Sequence, residues 1–253
     1  MKRLHFYLTF GLFLGLLLAF GLIRVNIPQN DFFWQQATLD GPFRLFDPKT
    51  HQAEYEHLRT YIQTQRKKLG QDFAAEDTFQ KIHILSEARH FLRQTLFEEL
   101  VPFWLDTEWD YNGITEMPRQ GTIACGYFVS TLLLHLGFSF DKYRLSRMPS
   151  SEMIKQLCHL PSIKTIYKND FQALLQHLHQ QEDGIFLIGL DKHVGLAFKH
   201  HSRLRFVHAR KPRHVGVIDE PLEQSSTLQH SSVYVVGNLL ANQALIENWL
   251  LNR

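Results

Sequence analysis

The spacing of apolar residues along this chain changes once, at Asp183-Gly184, and that change sets the fold class. Before it, apolar residues recur at helical spacing. Leu58, Tyr61, Ile62 and Leu69 follow Asp47-Pro48, an N-cap with Pro at the first helical position, and Gly70 is expected to close that helix. A second helix is expected from Thr78 to Leu100, with Ile82, Leu85, Leu92, Leu96 and Leu100 inward and Pro102 marking the exit. After Asp183-Gly184 the runs IFLIGL, VGLAF, RFVHA, HVGVI and VYVVG are short and β-rich, with charged or turn segments between them. They read as an antiparallel meander, and Asn238 to Leu251 as a closing helix. Helices first and strands later define an α+β chain, with helices packed on a central antiparallel β-sheet.

The chain has 253 residues, 44% of them hydrophobic, which suits one domain with a sizeable core or one domain plus a small appendage. A net charge of +2 points to no nucleic-acid partner. The start differs from the rest. MKRLH is basic, and Phe6 to Ile23 is an uncharged apolar run closed by Arg24. That run sits at the lower limit for crossing a bilayer and exceeds the usual core of a signal peptide, and Ala19-Phe20-Gly21 is a poor cleavage site. The expectation is an N-terminal transmembrane helix acting as an uncleaved signal anchor over residues 1–24, then a tether over 25–46, a helical extension over 47–102 and the main domain over 103–253. Lys2 and Arg3 outweigh Arg24, which favours a cytoplasmic N-terminus and an exported C-terminal domain, periplasmic or extracellular. Cleavage of the segment would make the domain secreted.

Within the helical half, Gly121 to Gly137 reads GTIACGYFVSTLLLHLG. Phe128, Leu132 and Leu136 give a helix over Ile123 to Leu136 its buried stripe, and Gly137 is a natural C-cap. Cys125 falls at the start, between Ala124 and Gly126. A helix N-terminus offers partial positive charge and free N–H donors, both of which lower a thiol pKa. Downstream, His193 begins the strand of DKHVGLAF and His208 ends the strand of LRFVHA. Antiparallel pairing of those strands brings the imidazoles side by side. A nucleophile, a base and an orienting group are the parts of a thiol hydrolase, with the N–H of Cys125 facing the oxyanion. The competing reading is a small core thiol and two packing histidines.

Other residues carry weaker signals. Cys158 in MIKQLCHL reads as a core residue, although an exported chain can pair its two cysteines, which would consume the nucleophile. His177 and His179 point to different sides of a helix and His200-His201 sits in a turn, so no metal site is expected, and no cofactor motif is present. Trp104, Trp109 and Tyr111 are candidates to line a cleft, with Trp104 equally readable as core. Arg210, Lys211 and Arg213 either meet an anionic substrate or form a solvated turn.

The order of these motifs resembles the NlpC-type cell-wall cysteine peptidases, a branch of the papain-like fold. Those proteins carry a loop of the form G-T-x-Y-x-Y-G-G, a D-C-S-G-F helix start, a strand H-V-G-[IL]-[YA] and a strand ending F-[IV]-H-A. Here Asp106 to Gly113 reads DTEWDYNG and Ala124 to Phe128 reads ACGYF, followed by HVGLAF at His193 and FVHA at His208. The resemblance spans residues 103 to 237. It implies a papain-like NlpC-type fold, with Cys125 as nucleophile, His193 as base and His208 as third member of the triad. Trp109 takes the place of the loop tyrosine near the oxyanion, Tyr111 that of the second, and Gly126 lies on the substrate-binding side. The implied activity is hydrolysis of an amide bond, with cell-wall peptide as the substrate and partner and no cofactor. Ala124 and Gly126 stand where the family has the aspartate and serine that help hold the peptide's amino end, and TEMPRQGTI is inserted between loop and cysteine. Two other readings keep the same residues: a non-catalytic binding or scaffolding domain, and an acyltransferase using the same thiol.

Overall fold

A computed structural model describes residues 47–253. The expected anchor and tether, residues 1–46, lie outside the described residues. Among those described, no helix is long and apolar enough to cross a membrane. The first element, α1 (Pro48–Ala75), runs through Gly70 instead of ending there. Gly70 is buried at a close approach between helices, where a Cβ would strike the backbone carbonyl of Leu250. It is glycine for contact, not for a cap. Asp77 caps α2 (Thr78–Gln94), its carboxylate accepting from the N–H groups of Phe79 and Gln80 at 2.9 and 3.1 Å.

The second helix does not stop at Pro102. A π-helical segment, Thr95–Leu100, leads without a break into one further turn, α3 (Val101–Trp104), and Pro102 lies just past that wider turn. The inward stripe is Ile84, Leu85, Ala88 and Leu92, while Ile82 is 63% exposed and not part of the core. Next, β1 (Glu108–Trp109) and β2 (Thr122–Ile123) form a short parallel pair, Trp109 opposite Ile123. Because Ile123 is held extended and fully buried in that pair, the next helix, α4 (Cys125–His135), starts two residues later than the sequence suggests. Cys125 is its first residue. Two short helices follow, α5 (Lys142–Ser146) and α6 (Ser150–Leu157).

A strand absent from the sequence reading, β3 (Lys164–Tyr167), precedes α7 (Phe171–His179), which Asp170 caps. Then come β4 (Gly184–Gly189), β5 (Val194–His200), β6 (Arg203–Arg210) and β7 (Gly216–Pro221) as a meander. After the single turn α8 (Ser226–Gln229), β8 (Val233–Asn238) returns between β3 and β4, and α9 (Gln243–Leu251) closes the chain. The six-stranded sheet has the order β3-β8-β4-β5-β6-β7, antiparallel throughout. The molecule is therefore α+β, helices on an antiparallel sheet.

Each sheet face has its own core. Leu187, Leu196, Phe198, Val207 and Ala209 pack with α1, α2, α4, α6 and α9, where Phe97 stacks on Phe198 at 4.3 Å between centroids. The opposite face, with Phe186, Ile188, Ala197 and Phe206, packs under α7 and α8 through Leu174, Leu178 and Leu228. Alternation along β6 thus sends Val207 and Ala209 toward α4, and Phe206 and His208 to the far side.

Candidate active site

Cys125 is placed by a helix start with nothing capping it. Ala124 is extended (φ −85°, ψ 158°), its side chain makes no capping hydrogen bond, and its N–H donates to Gly113 O at 2.9 Å. The first donors of α4 are left to the cleft. The N–H groups of Val194, Gly126 and Cys125 itself lie within hydrogen-bonding reach of the half-buried sulfur. Gly126 is buried, and a Cβ there would strike the Ser146 carbonyl. The end of α5 therefore fills the space that a side chain at position 126 would need. Both cysteines are free thiols, and Cys158 is 3% exposed, packed against Gly237.

His193 arrives from the other face of the sheet. It ends the β4–β5 turn, whose shape is fixed by the Leu190 N–H donating to His193 O at 2.8 Å and by Asp191 accepting from Ser232 N at 2.7 Å. Gly195 leaves room beneath: a Cβ there would lie 2.6 Å from the Phe206 ring and 2.9 Å from His208 Cβ. The sequence reading expected the two imidazoles side by side. His193 Nε2 is 2.8 Å from His208 Nδ1, with the rings nearly perpendicular. His208 is fully buried, lies on Phe206, and bonds through Nε2 to Glu220 Oε1 at 3.1 Å. Glu220 sits on β7 opposite Phe206, on the same face as His208.

The carboxylate fixes the protons along this line. Glu220 is acceptor-only when ionised, so His208 carries its proton on Nε2 and offers the Nδ1 lone pair. His193 must then donate from Nε2, which leaves its Nδ1 unprotonated and free to take a proton. Burial alone would raise the Glu220 carboxyl, but hydrogen bonds from His208 and Ser225 outweigh it and hold the group below its usual range. Burial, then the charges of His208 and Arg210, push His193 down to about 3. His208 is lowered too, again by burial first.

Cys125 departs from the expectation of a lowered thiol. Burial pushes it up by more than the three backbone N–H groups pull it down. The resting thiol and the imidazole on the same cleft are both neutral, not a thiolate and an imidazolium. The helix terminus is present, but desolvation of the charged sulfur is the larger effect.

Cys125 and His193 line one cleft of about 840 Å³. Trp109 and Tyr111 form an aromatic wall of it, the former half-buried and the latter 80% exposed. Gly126 and Ala124 line its floor. Trp104 does not reach the cleft: it is fully buried and donates from Nε1 to Tyr55 Oη at 2.7 Å. The basic cluster splits, with Arg210 and Lys211 on the cleft and Arg213 bonded to Glu108 at 2.7 Å.

Glu220, Lys192 and Arg147 escaped the sequence reading. The signal for Glu220 was strand parity, because Asp219-Glu220 offers two acids and only Glu220 shares the face of His208; Asp219 turns the other way and binds Arg205 at 2.9 Å. Away from the cleft, Asp183, His200 and His201 place ligand-type atoms within 4.8 Å of one another. Arg93 Nη1 donates to His200 Nδ1 at 2.9 Å, and Asp183 accepts from the His201 N–H at 2.7 Å, closing the β5–β6 turn. Comparison of the chain with family models, curated proteins and solved structures finds no match.

Proposed function

We propose that this chain is a cysteine hydrolase of the papain-like, NlpC-type class that cleaves an amide bond. The observation that carries the reading is the line His193–His208–Glu220, which opens on the cleft that Cys125 also lines. In the proposed reaction His193 Nδ1 takes the Cys125 proton as the sulfur adds to the carbonyl. A C–S bond forms and the N–H groups at the start of α4 and of Val194 receive the oxyanion. The C–N bond then breaks and His193 returns the proton to the leaving amine. Water then gives a proton to the same nitrogen and forms a C–O bond, the C–S bond breaks to release the acid, and the proton returns to the Cys125 sulfur. No electron transfer is involved. His208 and Glu220 hold the tautomer and stabilise the imidazolium formed along the way.

The Cys-bearing helix packed on an antiparallel sheet, with one histidine before β5 and one near the end of β6, supports the papain-like assignment. The basic and then apolar start of the sequence supports an exported, membrane-anchored setting. Cell-wall peptide is the substrate that the resemblance suggests. A neutral activated ester tests the thiol without presuming a substrate. Incubation with 4-nitrophenyl acetate is expected to place one acetyl group on Cys125, seen by mass spectrometry, with continued turnover that Cys125→Ala abolishes. Nitrophenol release equal in the two proteins, with no acetyl on Cys125, sinks the proposal.

A further inference from the structure

The thiol chemistry leaves the charge of the cleft unexplained. Four charged side chains line it beside Cys125 and His193, namely Arg147, Lys192, Arg210 and Lys211, and all are cations. Among the described residues no Asp or Glu lines it, while Asp191 lines an adjoining cavity of about 580 Å³ that also holds Cys125 and His193. None of the four makes an ion pair among the described residues. Three of them are held by neutral groups. Arg210 donates to Lys211 O and Ser226 Oγ, each at 3.1 Å, Arg147 donates to Tyr143 O at 2.9 Å, and Lys211 Nζ stands 5.4 Å over the Trp109 ring.

Some cations elsewhere do meet acids, while others, such as Arg66 and Arg89, bond to neutral groups. Arg213 meets Glu108, Arg119 meets Asp106, and Arg205 meets Asp219. The acid nearest in sequence to Lys192 is Asp191, and its carboxylate is engaged by Ser231 Oγ and Ser232 N at 3.2 and 2.7 Å. Four cations without an ion pair thus line the cleft that holds the thiol, with Glu220 in electrostatic reach of Arg210 as the nearest counter-charge on that side. A concave site with one sign of charge focuses the field and concentrates ions of the other sign, and arginine forks match carboxylates. Positions 124 and 126, being Ala and Gly, offer no acid to hold an ammonium group.

We propose that the cleft selects acyl donors carrying a carboxylate beside the carbonyl that Cys125 attacks, and disfavours donors with a free amine there. This rests on Cys125 being the nucleophile. Trp109 and Tyr111 would cover the apolar part of the same donor, and Lys192 and Arg210 its anion.

Two alkylating agents that differ in one charge test the inference on the full chain. Iodoacetate and iodoacetamide react alike: a C–S bond forms, the C–I bond breaks, iodide leaves and the thiol proton passes to solvent. The ratio of their rate constants at Cys125, resolved from Cys158 by peptide mass spectrometry, is compared with the ratio at N-acetylcysteine amide. The ratio of iodoacetate to iodoacetamide is expected to be about tenfold or more higher at Cys125. It should fall toward the free-thiol value in high salt, and also in Lys192→Gln and Arg210→Gln. A ratio equal to or below that of the free thiol, or one that neither salt nor the substitutions move, overturns the inference. Normal acetylation by the neutral ester with a free-thiol ratio would overturn this inference alone. Absent acetylation would instead overturn the nucleophile reading, whatever the ratio.

Discussion

His135 and His193 are both held neutral by burial, each pushed down to about 3, yet the regions around them are built differently. His135 closes the C-terminal end of α4, the helix whose other end carries Cys125. It is 3% exposed and accepts at Nδ1, 2.8 Å from Tyr55 Oη, which itself accepts from Trp104 Nε1. Every member of that line is uncharged, and Phe103 and Phe128 pack against it. The His193 line has the same length but opens on a cleft at one end and finishes on a carboxylate at the other. Burial sets the protonation state of both. Only the second line shares a cleft with a thiol and ends on a charge that could stabilise an imidazolium, so a strongly lowered histidine is not by itself a sign of catalysis.

The comparison breaks first if His193→Ala leaves Cys125 chemistry intact. Loss of the base should slow acetylation of Cys125 by about a thousandfold or more, with a small change in thermal stability. A loss of folding without a specific loss of rate per folded molecule would make His193 structural, like His135. Next in size is Glu220→Gln. Losing the carboxylate two hydrogen bonds from His193 frees the tautomers of His208 and His193. A rate drop of about a hundredfold is expected, together with a changed pH–rate profile. An unchanged profile would mean that Glu220 only packs.

The smallest effect separates the two lines by pH. Unfolded histidine binds its proton near 6.5, whereas folded His135 and His193 do so only at about 3. Between these values the unfolded chain holds the extra protons, so stability is lost as pH falls through this window. For His135 the loss by pH 5 is about 2 kcal/mol. Replacing His135 with Gln keeps an acceptor for Tyr55 and removes the titration. Urea unfolding of His135→Gln should therefore show a shallower fall in stability from pH 7 to pH 5, with acetylation of Cys125 retained. A slope as steep as that of the unaltered chain would show that His135 does not drive it.

Much of this was legible in the residues. Periodicity gave the switch from helix to strand at Asp183-Gly184 and the buried stripe of Phe128, Leu132 and Leu136. The errors came where a local signal had two meanings. Gly70 looked like a cap and is a helix contact, and Pro102 looked like a stop and follows a π-helical turn within the same helix. Ile123 looked helical and is paired with Trp109, and KTIY, too short to announce a strand, found its place only against β8. Glu220 was invisible as a partner because it is 12 positions beyond His208, across a hairpin whose register the sequence does not state.

The sequence by itself determined the α+β class, the position of Cys125 at a helix start and the pairing of two histidine-bearing strands. These depend on backbone periodicity and neighbouring residues, which a sequence displays directly. Tertiary structure decided the rest. It made the resting thiol neutral, because burial outweighs the helix terminus. It tied His208 to Glu220, because sheet register chooses between adjacent acids. It turned Lys192, Arg147, Arg210 and Lys211 toward one cleft while Arg213 found an acid of its own. Charge acts through space and dielectric, so its partners are known only after the chain has folded.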